Sequence, residues 1–164
     1  MNKEAEVSGR YLLAERRGRS FALPLTHARG GLPRPRLEPV PLAEPEWLGV
    51  MAVRGEVVVV VLADRWLGFD DGAAAGEPGV ALATEPAALV LYRARHSTVA
   101  LAFDRLRSVV SLDAADAGRV ARADGPAWHA ARYTSGPQAG LVVLDGEALA
   151  EALLVPSPVL MEDL

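Results

Sequence analysis

The chain has 164 residues, no cysteine, a formal charge of −4 and a pI near 5.4, and 51% of its residues are hydrophobic. These numbers exclude disulfide staples and thiol chemistry, leave no excess positive charge to draw nucleic acid or anionic lipid, and supply one domain or two small lobes. With three Trp, three Tyr and three Phe, the core must be mainly Val, Leu and Ala, and stacking platforms for bases are scarce.

Residues 1–9 lack the apolar run of a signal peptide and read as a flexible N-terminus. Tyr11 to Ala14 and Phe21 to Leu25 are short apolar segments around a charged tip, Glu15 to Ser20, which predicts a β-hairpin. Gly30 to Pro45 holds five prolines in sixteen residues and reads as an extended connection. Glu46 to Leu48 fits one helical turn and Val50 to Val53 a strand, with Gly55 supplying the turn into Val57 to Leu62. That last strand has no polar alternation, so it is buried on both faces or meets another protein. The apolar run Val57 to Ala63 has seven residues, too few to span a membrane. Arg54, at the end of an apolar strand, must pair with a carboxylate such as Asp64 or Glu56 or project to a partner.

Asp64 to Leu67 closes this stretch with a helical turn, and Asp70 to Gly79, small and charged, reads as a joint. Beyond it the pattern recurs. Leu89 to Phe103 has the length of Tyr11 to Leu25 and lies 78 residues later, with Ala100-Leu101 opposite Ala22-Leu23. Leu106 to Leu112 is another strand, Asp113 to Gly125 a connector, and residues 139–155 give a glycine turn, a strand and a helix from about Gly146. The order predicts a mainly β protein of two small five-stranded barrels packed on each other, produced by duplication, with short helical segments and a C-terminal helix. The expected division is 10–69 plus 139–155 for one barrel and 80–138 for the other, the two intertwined, with 156–164 as a tail.

No catalytic constellation emerges. His27, His96 and His129 are far apart and none sits at i, i+3 or i, i+4 from another with a carboxylate, so no metal site is expected. The serine of "YTSGPQ" lacks the flanks of a nucleophile elbow, and "GAAAGEPG" lacks the lysine of a phosphate cradle. Neither an enzyme nor a cofactor is expected.

Three segments resemble the CheW-like domain of bacterial chemotaxis. "RSFALPL" through "GVMAVRGEVVVVVLADRWLGF" resembles the family's first half, with its "YALPV" strand, "GVINLRG", Val/Ile-rich strand and short helix; "AALVLYRARHSTVALAFDRLRSVVSL" resembles its second hairpin, and "GLVVLDGEALAEAL" its last strand and helix. The resemblance spans roughly residues 10–155 and implies two SH3-like barrels and a non-enzymatic, cytoplasmic adaptor. The implied partners are the cytoplasmic tip of a methyl-accepting chemoreceptor and the matching domain of the histidine kinase CheA. It further implies binding roles for Gly49, Val53, Arg54 and Gly55 in the "RG" segment, for Ala28 as the residue lining the receptor groove, and for Leu89, Val90 and Val109 on strands facing it. Where the family reads "VREV" this chain has Ala28, Arg29, Gly30, Gly31, and Leu62 stands where the family has an aspartate. These departures allow a specialised adaptor that keeps one partner and has lost the other. From another class, a pair of small barrels binding RNA or peptide through the basic tips Arg16, Arg17, Arg19, Arg93 and Arg95 is the alternative, against which the acidic pI and scarce aromatics stand.

Overall fold

A computed structural model describes residues 9–33, 37–38, 47–69, 88–94, 97–112, 120–121 and 128–153. The chain runs β1 (Gly9–Arg16), β2 (Arg19–Pro24), β3 (Ala28–Pro33), β4 (Trp47–Val53), β5 (Glu56–Leu62), α1 (Asp64–Leu67), β6 (Ala88–Arg93), β7 (Thr98–Phe103), β8 (Arg105–Leu112), β9 (Val120–Ala121), β10 (His129–Tyr133), β11 (Val142–Leu144) and α2 (Gly146–Ala152). The strands form two sheets, one of six strands in the order β8-β1-β2-β11-β10-β9 and one of five in the order β3-β6-β7-β5-β4. The expected mainly β, SH3-like pair is present, one sheet being enlarged by the two-residue β9. Among the described residues no ladder joins the outer strands of either sheet, so the barrels stay open.

The division into lobes differs from the expected one. β1 and β2 pair with β8 and β11 from the far end of the chain, whereas β6 and β7 pair with β3 and β5 from the near end. The sheets are therefore drawn from residues 28–103 and from 9–24 with 105–144, not from 10–69 plus 139–155 and 80–138. Short links after β2 and β7 carry the chain from one sheet to the other. Local hydrophobic pattern fixes a hairpin, but its neighbour in the sheet is chosen by contacts far away in sequence. Residues 1–8, the joint at 70–79 and the tail at 156–164 lie outside the described residues.

The duplication is visible in the registers. Leu12↔Leu23 in β1–β2 reappears as Val90↔Leu101 in β6–β7, 78 positions on, and Ala14↔Leu106 as its mirror Tyr92↔Ala28. The register shifts fall at matching places too, between Leu12 and Ala14 against β8 and between Ala28 and Gly30 against β6. Each half has thus lodged its hairpin in the sheet of the other.

Among the described residues the core has three parts. Tyr11, Leu13, Ala22, Ala131, Tyr133 and Val143 fill the six-stranded sheet, and Met51, Val58, Val60, Leu62, Leu89 and Ala100 the five-stranded one. The largest cluster lies between the sheets, where Leu12, Phe21, Leu23, Val59, Val61, Val90, Tyr92, Leu101, Phe103 and Leu149 meet. Val58 to Val61 are all buried, alternating between the barrel interior and the shared layer, which explains a strand without polar alternation. Trp47 and Leu48 belong to β4 rather than a helical turn, because Trp47 opens the ladder to Val61. Gly30 to Pro33, expected as the start of an extended connection, belong instead to the edge strand β3, where a terminal proline is tolerated. Asp145 caps α2, its Oδ1 accepting from the Ala148 amide at 3.0 Å. Among the described residues no helix is long and apolar enough to cross a membrane.

Candidate interaction surface

β4 and β5 are joined by a two-residue turn, Arg54-Gly55, beyond the last pair Val53↔Glu56. Both turn residues have positive φ, 49° and 83°, which gives the twist a tight hairpin requires and which glycine adopts freely but arginine does not. The same arrangement occurs at Arg17-Gly18, with φ of 49° and 74°, closing β1–β2. The two arginines then part company. Arg17 reaches inward, its Nη2 3.0 Å from Asp64 Oδ2 and its guanidinium 5.2 Å from the Phe69 ring centre. Arg54 is exposed and, among the described residues, has no ion pair or hydrogen bond to its side chain. Neither Asp64 nor Glu56 engages it, so of the two roles open to it only outward projection is seen.

Around that tip the surface is apolar. Val57, the first valine of β5, is 53% exposed, Ala52 opposite it is exposed, and Val53 is half-buried. Val109 is the other large exposed hydrophobic residue among those described, at 43%, and it sits on β8, the edge of the six-stranded sheet. The tip and Val109 thus belong to different lobes. The remaining expected site residues are placed inside. Leu89 lies in the five-stranded barrel and Val90 and Ala28 in the layer between sheets, all nearly inaccessible, so none offers side-chain surface to a partner. Gly49 serves packing instead. Val50 and Glu38 exchange backbone hydrogen bonds of 2.8 and 2.9 Å, and a β-carbon on Gly49 would come within 2.6 Å of the Glu38 carbonyl oxygen. The close approach of residues 37–38 to β4 accounts for the glycine.

The residue that sequence reasoning missed is Arg16. Taken as part of a basic surface tip, it is instead fully buried. Its Nε and Nη2 donate to the two carboxylate oxygens of Asp64 at 2.6 and 3.1 Å, and its Nη1 donates to Asp104 Oδ1 at 2.5 Å. The Arg17 amide donates to Asp104 Oδ2 at 2.8 Å. Burial alone would push the Arg16 guanidinium down, but hydrogen bonds and charge from Asp64 and Asp104 outweigh it, and its pKa rises above the ordinary value. The cluster ties the end of β1 to the residues that follow β5 and β7, across the two sheets. The available signal was the pair of acids, Asp64 and Asp104, each placed directly after an apolar strand.

Gly31 accommodates the other crossing between sheets. A β-carbon there would overlap Leu106 Cδ1, so the bare backbone of β3 lets β8 close over it. Among the described residues no group of three or more His, Asp or Glu could hold a metal ion.

The comparisons with known proteins follow the same lines. A family model described as "CheW-like domain" matches residues 10–153. No curated protein matches the sequence. Among solved structures the chain is similar to the scaffolding protein TtCheW from Thermoanaerobacter tengcongensis, with 10% identity and a TM-score of 0.65, over 91% of this chain and 99% of that one. At that identity the likeness is one of fold.

Proposed function

The chain belongs to the CheW-like domain family, and from that premise we propose that it is a non-enzymatic adaptor of a chemotaxis-type signalling system. In this reading it works in the cytoplasm beside receptor arrays and couples the cytoplasmic tip of a methyl-accepting chemoreceptor to a CheA-type histidine kinase. The observation that carries the proposal is Arg54: a charged side chain held at positive φ, flanked by Val53 and Val57, with no described partner in its own chain. The positive φ belongs to the tight turn, as it does at Arg17; what marks Arg54 is an exposed side chain without the carboxylate that engages Arg17. Val53, Arg54, Gly55 and Val57 form one contact, and Val109 on the other lobe a second, which suits a molecule that must hold two proteins at once. Each patch is small, so the contacts belong to the weak, transient class, where a few residues govern affinity.

The test is capture of the purified chain by receptor tip and by kinase in separate experiments, with Arg54→Glu alongside. Loss of capture by a folded Arg54→Glu variant supports the reading; unchanged binding of both partners ends it. A narrower version, an adaptor for one partner only, is favoured by Gly30 in β3, which stands where the resemblance implies a glutamate, and by Leu62, which stands where it implies an aspartate. Equal, strong capture by receptor and kinase refutes that version.

A further inference from the structure

The internal repeat identifies a pair of equivalent places, one filled and one open. In the filled one, Arg16 is gripped by Asp64 and Asp104. By the registers that relate Leu12↔Leu23 to Val90↔Leu101, the position of Arg16 corresponds to Ala94 and that of Asp104 to Thr26. In the same way Val60, beside Ala100, corresponds to Val143, beside Ala22, and counting on from those strands places Glu147 where Asp64 stands, with α2 beginning one residue earlier than α1. Thr26, Ala94 and Glu147 all line one half-open cleft of about 510 Å³, whose other walls are His27, Arg93, Ala150 and Glu151.

We propose that this cleft is a guanidinium-binding site that takes an arginine side chain presented by a partner protein. The filled place shows what such a site accommodates: a planar cation held by a carboxylate in two-point contact and by a second oxygen acceptor. The open place keeps a carboxylate in Glu147 and an oxygen in the Thr26 hydroxyl, but the plug is cut back to the methyl of Ala94. The cleft also has a flat wall. The His27 ring is stacked on Tyr92, with ring centres 5.7 Å apart and planes at 21°, and its Nδ1 is 2.9 Å from Thr26 Oγ1 and its Nε2 3.6 Å from Glu147 Oε1. A guanidinium can meet the exposed Glu147 carboxylate with two parallel N–H donors, a geometry lysine cannot match. Arg93 stands exposed at the rim, where it opposes an incoming cation and keeps the site weak, but among the described lining residues Glu147 and Glu151 outnumber it. Because the cleft is open to solvent along the Glu147 side, it receives a side chain from outside rather than enclosing a whole small molecule. The proposal rests on the repeat and the cleft, not on the adaptor reading, and its test uses neither receptor nor kinase.

The experiment is a titration of the ¹⁵N-labelled full chain with N-acetyl-arginine-N-methylamide at fixed ionic strength. Saturable shifts should concentrate at Thr26, His27, Ala94 and Glu147, with the lysine and citrulline analogues and the Glu147→Gln variant at least about tenfold weaker. Ala94→Arg should fill the cleft in cis and abolish the response; if that variant does not fold, the isosteric, surface-exposed Glu147→Gln decides alone. Equal response to the citrulline analogue, unchanged affinity in Glu147→Gln, or no saturable shifts up to about 50 mM overturns the site. Tighter binding of free L-arginine than of the blocked form overturns the protein-borne ligand, since the cleft would then be reading the amino acid's own termini.

Discussion

Three side chains carry unusual burdens for their type. Arg16 is a buried cation whose three contacts satisfy it, and removing it would leave Asp64, itself nearly inaccessible, without its two-point partner and with only Arg17 Nη2 at 3.0 Å to offset its charge. Arg16→Ala is expected to lower unfolding free energy by about 3–5 kcal/mol, read as a shift in urea midpoint, and Arg16→Lys to recover only part of it because an ammonium cannot grip Asp64 at two points. A loss below about 1 kcal/mol would show that the pair is worth no more than a surface contact. Arg54 should behave oppositely: Arg54→Asn is expected to keep or raise stability, since asparagine suits positive φ, while weakening capture by receptor or kinase. His129 couples stability to pH. Burial lowers its pKa from the ordinary 6.5, partly offset by the Trp66 carbonyl 3.1 Å from Nε2. The unfolded chain therefore takes up the proton first, so stability present above about pH 6.5 is lost as pH falls through the lower folded value. Urea midpoints at descending pH should show that decline, and His129→Gln should flatten it. None of this separates Arg16 from Arg54 in the sequence. Each is an arginine near a glycine at the end of an apolar strand, and only the acids that the fold brings to one of them distinguish the two.

Secondary elements were far more legible than their neighbours. The hairpins of β1–β2 and β6–β7, the turn at Gly55, strand β5 and both helices follow from local pattern, because each depends on residues within a few positions. At Arg54 the turn was legible for the same reason, but whether the side chain pairs with Asp64 or Glu56 or projects outward was not. Leu89 and Val90 were not, since whether an apolar strand residue faces a groove or a packed layer is decided by strands elsewhere in the chain. Gly49 shows the difference. Its presence suggests a binding motif, yet its φ of 150° and the Glu38 carbonyl above it give it a packing role. Gly49→Ala is accordingly expected to cost about 1–3 kcal/mol and to speed amide exchange at Val50 as residues 37–38 lift from β4. Normal exchange there, with stability intact, would return Gly49 to the candidate contacts.

At the scale of the molecule the exchanged hairpins govern cooperativity. Every ladder linking β1–β2 to β8 and β11, or β6–β7 to β3 and β5, joins the first half to the second, so neither sheet can melt without stripping strands from both halves. One unfolding transition is expected, with Phe21→Ala and Leu101→Ala, on different sheets but in the same shared layer, each lowering its midpoint by the equivalent of about 2–5 kcal/mol. Two separable heat-absorption peaks would refute that. The interlacing also has a mechanical meaning. Under the proposed function, a tug between one neighbour at the β4–β5 tip and another at the β8 edge would be spread over ladders running through both lobes, whereas it would prise apart two beads on a string.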